Sequence, residues 1–158
     1  MRKVTFIALL LAGLSGCATT QSRYGNFLPP TPAAYHETMA EDAVKQLLNL
    51  YPPASTRFDL QQTTPDTFGT TLVETMRVKG YALLESNPEL PARRSNEATN
   101  SPTGTSLRYL LDQVNSLNLY RVTLLIGNQA MTRAYRVQDS TVHPAGLWSH
   151  QESYSNER

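Results

Sequence analysis

The hydrophobic residues of the chain form one continuous run near the N-terminus, two stretches with helical spacing and several with the alternation of β-strands. The continuous run covers residues 4–14 and follows two basic residues, Arg2 and Lys3. It is shorter than the ~20 apolar residues that span a bilayer and has the length of a signal-peptide core. The pattern therefore predicts a cleaved signal peptide at residues 1–16.

A lipidation motif ends this run. The sequence Leu14-Ser15-Gly16-Cys17 resembles a bacterial lipobox, whose cysteine is acylated with palmitate-type chains and becomes the new N-terminus. Each buried methylene of an acyl chain contributes about 0.8 kcal/mol, so two or three chains hold a protein firmly on the membrane. An aspartate after the cysteine usually retains a lipoprotein in the inner membrane, so Ala18 indicates the periplasmic face of the outer membrane. The alternatives are an ordinary secretory signal with a chance cysteine, or a buried N-terminal helix.

The segment after the lipidation site reads as a tether. Residues 17–31 are polar, contain prolines and show no helical or strand period, so we expect a flexible lipidated segment. A flexible chain of this length averages roughly 20 Å from end to end. Tyr24 and Phe27 are unusual in such a segment. They are either incidental aromatics at the lipid headgroups or on the domain surface, or hot-spot residues for a partner that orders the segment on binding.

Two stretches have the apolar spacing of amphipathic helices. The first begins with Thr31 as the predicted N-cap and Pro32 as the first helical residue, and it ends before a Pro-Pro pair. The second repeats this start with Thr64 and Pro65 and closes at Gly80. Their apolar stripes are Ala40, Val44, Leu47, Leu48 and Tyr51 in the first, and Phe68, Leu72, Val73 and Met76 in the second.

Short alternating segments predict one strand after each helix, at residues 56–60 and 81–85. The next stretch, residues 87–106, carries three prolines and almost nothing apolar. A polar stretch of this length is unusual inside a compact domain, so it predicts a disordered loop.

The alternation of apolar and polar residues tests the register of the following two strands. When Val114 is placed opposite Leu119, the apolar residues of both strands share one face. The same register puts Asp112 directly opposite Arg121 on the other face, as an opposite-charge pair.

A third strand follows through a two-residue turn at residues 127–128, an Asn-containing turn of the kind that right-twisted strands favour. Arg133 then falls on the apolar face as the one exception. A last short strand is expected at residues 145–150, with Pro144 restricting it to a sheet edge. The apolar residues that this turn places inside are Met131 and Tyr135.

These patterns predict an α+β protein in which a lipidated flexible tether is followed by one two-layer domain at residues 32–150. Two helices pack on one face of a mainly antiparallel sheet that ends in a β-meander, and residues 151–158 form a polar tail. Without the signal peptide the chain has 12 basic and 13 acidic residues, a formal net charge of −1. This charge does not indicate a polyelectrolyte-binding surface, so no direct nucleic-acid binding is expected.

Signatures of catalysis and of cofactor binding are absent from the sequence. It has no HExxH zinc motif, no GxSxG nucleophile elbow and no GxxxxGK[ST] phosphate loop. His143 and His150 are close enough in the chain to meet, but spacing nominates no third metal ligand. Glu37, Glu41 and Asp42 cluster on the first helix, where we expect solvated carboxylates. We therefore expect no catalytic residue, no metal and no cofactor, and acylation removes the single cysteine from disulfide chemistry.

Three stretches of the sequence together resemble the TrbH family of conjugal transfer lipoproteins, from IncP-type mating-pair-formation systems. They are "GCATT…RYGNF", "AEDAVKQLLNLYPPASTRFDLQQTTPDTFGTTLVETMRVKGYALLE", and "LRYLLDQV…LYRVTLLIGNQAMTRAYRV…HPAGLWSH". The resemblance covers nearly all of the mature chain except residues 87–106. It implies a structural, non-enzymatic role in the outer-membrane core complex of a type IV secretion apparatus, beside TrbG-like and TrbI-like subunits. It carries over one functional residue, Cys17, as the acylated position.

Two other classes of function stay open at the level of sequence. One is an envelope enzyme, for instance a cell-wall hydrolase using His143 and His150. The other is an outer-membrane lipoprotein with a different role, such as an exclusion or assembly factor.

Overall fold

The structure is a computed structural model, and it describes residues 23–85, 104–114 and 119–152. The lipidation site Cys17 lies outside the described residues, as do residues 87–103 of the predicted loop and 153–158 of the predicted tail. None of the described helices is long and apolar enough to cross a membrane. The elements are β1 (Gly25–Asn26), α1 (Ala33–Leu50), β2 (Arg57–Leu60), α2 (Thr67–Val78), β3 (Ala82–Glu85), β4 (Thr105–Gln113), β5 (Leu119–Ile126), β6 (Gln129–Gln138), β7 (Thr141–Pro144) and β8 (Ser149–Glu152).

The strands form one mixed sheet in the order β3-β2-β4-β5-β6-β7. Strand β2 runs parallel to both β3 and β4. The pairing with β3 is parallel because α2 carries the chain back from the end of β2 to the start of β3. From β4 onward all neighbouring strands are antiparallel. Strand β1 pairs with β4 along the edge that β2 also uses, and β8 pairs with β6 along the edge of β7. The predicted α+β class, with two helices on a mainly antiparallel sheet, is confirmed.

The predicted register of the meander is also confirmed. Strand β4 pairs with β5 so that Leu107 lies opposite Ile126 and Asp112 lies opposite Arg121. The Arg121 guanidinium donates to both carboxylate oxygens of Asp112, with Nε 2.8 Å from Oδ1. The β5–β6 turn lies where predicted, and Gly127 adopts a φ of 57° that L-residues rarely adopt.

One hydrophobic core lies between the helices and the inner face of the sheet. Both helices contribute their predicted stripes, and α1 packs along α2. Alternate residues of the strands fill the other side, as the period of two requires. The largest fully buried side chains are Tyr109, Tyr135, Phe58, Phe68, Met39, Leu47, Leu72, Met76, Leu107, Leu111, Leu124 and Ile126.

Both predicted helix caps were wrong. Helix α1 begins after Pro32 without a side-chain cap, and the Thr31 hydroxyl instead contacts His36. Helix α2 is capped by Asp66, whose Oδ1 accepts from the Gly69 N–H at 3.2 Å. A Thr-Pro pair is a common start of a helix, but an aspartate two residues further on is at least as good a cap, and the core decides where the first turn lies.

The predicted ends of the sheet also differ from the structure. Residues 25–26 of the predicted tether form β1, and residues 105–106 of the predicted loop begin β4. The expected strand at residues 145–150 is two edge segments, with β7 ending at Pro144 and β8 extending to Glu152, inside the predicted tail. Periodicity identifies short edge strands poorly, because such strands contain few residues and many of these face solvent, which leaves little apolar alternation to recognise.

Candidate partner-binding site

The first described residues after the predicted lipid anchor are held on the sheet by main-chain pairing. In β1, Gly25 lies opposite Leu110 and Asn26 lies opposite Leu111. The Phe27 N–H donates to the Leu111 carbonyl at 2.8 Å. Gly25 has a φ of 132°, so a side chain at this position would be strained. This explains the glycine between the two aromatic residues of "RYGNF".

The two predicted partner-binding residues have different surroundings. The Tyr24 ring is half-buried, with the Arg108 guanidinium carbon 4.9 Å from its centroid on the outer face of the sheet. Phe27 is 47% exposed, although the next residue, Leu28, packs against the core. Tyr24 therefore contacts the domain itself, whereas Phe27 offers an apolar surface to solvent. The expectation that a partner is needed to order this segment was wrong.

A buried histidine fastens β1 to the first helix. The Asn26 Nδ2 lies 3.4 Å from His36 Nδ1, and His36 Nε2 lies 2.6 Å from the Thr31 hydroxyl. Since an amide NH₂ only donates, Nδ1 accepts and the imidazole proton lies on Nε2. His36 is 6% exposed, and burial lowers its pKa below 6.5, with the Asp66 charge opposing the shift. His36 was not predicted as a site residue, although it lies four positions before Ala40 and so continues the apolar stripe of α1.

A second polar group lies beside this histidine, at the start of α2. The Tyr109 hydroxyl donates to Asp66 Oδ2 at 2.5 Å, and Gln62 Oε1 accepts from the Tyr109 N–H at 2.9 Å. Burial and then the bond to Asp66 raise the Tyr109 pKa far above its ordinary value, so the hydroxyl stays protonated. The other end of the Gln62 amide, Nε2, is buried and makes no hydrogen bond of ordinary geometry among the described residues, although its proximity to the Tyr109 hydroxyl opposes the rise of the Tyr109 pKa.

These elements enclose a groove of about 510 Å³ beside β1. Residues 24–27 form one wall, and the connection from β2 to α2 forms the other. Both Tyr24 and Phe27 line it, so the structure places the two sequence-predicted residues at one concave surface. The residues of the second wall, none of which the sequence pattern indicated, are Gln61, Gln62, Thr63, Pro65 and Asp66.

A comparable groove of about 480 Å³ lies between α1 and α2. It is lined by charged residues of both signs, including Lys45 and Glu74, on the exposed sides of the helices. It holds none of the predicted site residues and none of the buried polar groups. We therefore take the groove beside β1 as the candidate site.

The predicted acidic cluster on α1 is not uniformly solvated. Asp42 Oδ2 accepts from the Tyr135 hydroxyl at 2.6 Å and from Arg133 Nη1 at 2.8 Å. Arg133 also donates to the Gly146 carbonyl at 2.9 Å and lies over the Trp148 ring. This network explains the inward arginine of the meander, and it ties the β7–β8 connection to α1. The expectation of a solvated Asp42 was wrong, whereas Glu37 and Glu41 are exposed.

The two C-terminal histidines do not meet. His143 lies opposite Arg136 and His150 lies opposite Met131, and these β6 residues face opposite sides of the sheet. The imidazole of His143 contacts the Thr141 hydroxyl at 2.7 Å. In the described part of the chain, no three acidic, cysteine or histidine side chains are grouped to hold a metal ion. The pairing of His143 with His150 in a hydrolase site was therefore wrong.

Comparison with known proteins supplies one match. A family model described as conjugal transfer protein TrbH matches residues 21–152. Searches of curated proteins and of solved structures give no match. The matched residues include every described element and both walls of the groove, and they begin after Cys17.

Proposed function

Since the chain belongs to the TrbH family of conjugal transfer proteins, we propose that it is a structural outer-membrane lipoprotein of a conjugative type IV secretion apparatus. In this proposal the acyl chains on Cys17 hold the domain at the periplasmic face of the outer membrane. The domain then anchors or stabilises the core complex through which DNA passes. The protein contributes no catalysis, in line with a family of structural transfer components.

The observation that carries the proposal is the match of the family model to residues 21–152, and the pairing of β1 with β4 limits how far the domain can lie from the proposed anchor. Because residues 25–26 are part of the sheet, the segment that could serve as a tether ends earlier than the sequence pattern predicts. From Cys17 to residue 22 an extended chain reaches at most about 20 Å, at ~3.3–3.6 Å per residue. Anchored in this way, the domain lies directly beneath the lipid headgroups, with the groove beside its point of attachment.

The chemistry of the described residues supports a binding role. The carboxylate of Asp42 accepts bonds from Arg133 and Tyr135, and that of Asp66 accepts from Tyr109 and from its own helix. Both carboxylates therefore hold elements of the fold together. The family match and this structural use of the two carboxylates favour a structural component over the cell-wall hydrolase considered above.

TrbG-like and TrbI-like subunits are the proposed partners, with Tyr24 and Phe27 as contact residues. Phe27 presents an apolar side chain on a held backbone, so its burial by a partner costs little conformational entropy. Tyr24 sets the direction of the segment by stacking on Arg108. The balanced charge of the mature chain supports protein partners over direct contact with the transferred DNA. An exclusion or assembly factor of the same membrane is the second candidate.

The decisive experiment is Cys17→Ser in cells that lack the wild-type gene. We expect the variant to leave the outer-membrane fraction and to abolish conjugative transfer, because the acyl chains supply the membrane affinity. Ala18→Ser, which keeps the acylated cysteine, is the matched control and should fractionate and mate normally. Cys17→Ser protein found in the outer membrane together with normal mating would contradict the proposal.

A further inference from the structure

The main chain of β1 has one edge that no described strand covers. Strand β1 pairs with β4, and no other described strand lies beside it. Main-chain groups of a parallel strand point alternately to its two edges. Since the Phe27 N–H is directed at Leu111 of β4, the N–H and C=O of Asn26 point to the opposite edge. The free edge therefore offers one donor and one acceptor in the spacing of a strand.

A buried side-chain donor lies at the same place. Gln62 is 8% exposed, and its Oε1 is held by the Tyr109 N–H, which fixes Nε2 on the other side of the amide. That Nε2 is the nitrogen described above that makes no hydrogen bond of ordinary geometry, and Gln62 lines the groove together with Asn26. Buried donors are nearly always paired in native proteins. A peptide carbonyl in the groove would pair this one only after the buried amide turns toward it.

The position of the groove in the sheet matches a strand. Strands β1 and β2 share the same edge of β4, one beyond the other, and β3 lies outside β2. A strand added beside β1 would therefore continue the line of β3. The β2–α2 connection borders the groove, so an added segment would lie between β1 and this connection.

The charge of the groove argues against an anion, which is the main alternative ligand. The N-terminus of a helix attracts anions, but at α2 the Asp66 carboxylate already caps it. The groove lining contains no basic side chain, and Asp66 is its charged member. A phosphate or carboxylate ligand would be repelled, whereas a neutral main chain would not.

We propose that the groove binds an extended segment of another subunit by β-strand addition to the free edge of β1. The segment pairs with the Asn26 main chain and covers the exposed ring of Phe27. The identity of the assembly in this inference rests on the proposed function. The strand-binding site itself rests only on the geometry of β1 and the groove. The main chain supplies the affinity, and Phe27 supplies one apolar contact.

The remaining segments of this chain are poor candidates for that strand. Residues 86–103 contain three prolines, which lack the N–H that a strand needs, and have no aromatic residue. Residues 153–158 are short and mostly polar. We therefore commit to a segment of a different protein.

Site-specific photo-cross-linking tests the site in the full-length protein. The photoreactive residue p-benzoylphenylalanine replaces Gln61, an exposed residue of the groove wall, in mating cells. The control carries it at Gln138, an exposed glutamine at the end of β6. We expect position 61 to form an adduct with one short segment of another subunit, and position 138 to form none with that subunit. An adduct with a second copy, an adduct with residues 86–103 of the same chain, or no adduct at position 61 would overturn the proposal.

A blocking variant supplies the functional readout. Gln61→Trp fills the groove from an exposed position, and Gln138→Trp is the matched control. We expect both proteins to stay in the outer membrane, with mating reduced about tenfold or more only for Gln61→Trp, the loss that about 1.4 kcal/mol of binding would cause. Normal mating of Gln61→Trp would overturn the proposal. If the adduct at position 61 contains a protein from outside the transfer apparatus, the strand site stands and the proposed function fails.

Discussion

Replacing Gly69 by alanine sets two opposing effects against each other at the start of α2. Alanine gains at most about 1 kcal/mol over glycine in a helix. The added Cβ, however, would lie 2.3 Å from the Tyr109 hydroxyl and 2.7 Å from the Thr64 Cβ. Tyr109 is fully buried and hydrogen-bonded to Asp66, so it cannot swing away into solvent. Overpacking of this kind costs about 1–3 kcal/mol.

Displacing the Tyr109 hydroxyl also weakens its bond to the Asp66 carboxylate, which contributes about 1.5–3 kcal/mol as a bond to a charged group. The steric and hydrogen-bond losses exceed the gain in helix propensity, so Gly69→Ala should lower the free energy of unfolding by about 2–4 kcal/mol. Urea unfolding of the non-acylated mature chain, followed by circular dichroism, measures this change. Glu74→Ala, on the exposed side of the same helix, is the control and should change stability by less than about 0.5 kcal/mol.

A double-mutant cycle identifies the cause. Tyr109→Phe removes the oxygen that the new Cβ meets, so the double variant should be more stable than the sum of the two single changes, by about 1 kcal/mol or more. The contact with Thr64 remains, so the rescue should be partial. A Gly69→Ala protein as stable as the wild type, or strictly additive effects in the cycle, would refute the packing argument.

Three further predictions concern charged groups. Asp112→Arg should lower the free energy of unfolding by up to about 1 kcal/mol, since its pair with Arg121 is partly exposed. Adding Arg121→Asp should restore part of this loss, and purely additive effects in urea denaturation would contradict the cross-strand pair. Asp42→Ala should lower the free energy of unfolding by about 2–3 kcal/mol, because the Arg133 side chain is only 17% exposed and would lose its carboxylate partner. An unchanged urea midpoint would show that the network contributes nothing to stability. Burial lowers the His36 pKa below its unfolded value of 6.5, so the stability that neutral His36 contributes is present above that pH and is lost as the pH falls through the folded pKa. Lowering the pH from 7 to 5 should therefore lower the thermal midpoint of the wild type more than that of His36→Gln. The same pH dependence of the midpoint in both proteins would contradict this prediction.

Features that depend on neighbours in the chain were predictable from the residue pattern. The helical stripes, the strands of the meander and the pairing of Asp112 with Arg121 all follow from short-range periodicity and from a turn of two residues. A one-residue slip would turn every apolar side chain of a strand to solvent, so the register of a hairpin with one buried face is strongly specified. The lipidation signal is a linear motif and needs no fold to be recognised.

Contacts between distant segments were decided by the tertiary structure. Asp42 pairs with Arg133 across 91 positions, and Gln62 bonds to Tyr109 across 47. No local rule connects such residues, and Asp42 and Gln62 look like ordinary surface groups when their own segments are considered alone.

The candidate site shows the same division. The pattern of residues 17–31 identified Tyr24 and Phe27 as unusual, but it assigned them to a free tether. Two residues are too few for a strand signal, and β1 exists because β4 extends beyond β2 and leaves main-chain groups that another segment can pair with. The groove arises from that pairing together with the path of the β2–α2 connection. Its position therefore depends on the assembled sheet, because segments separated by more than 30 residues must meet before any of its walls exists.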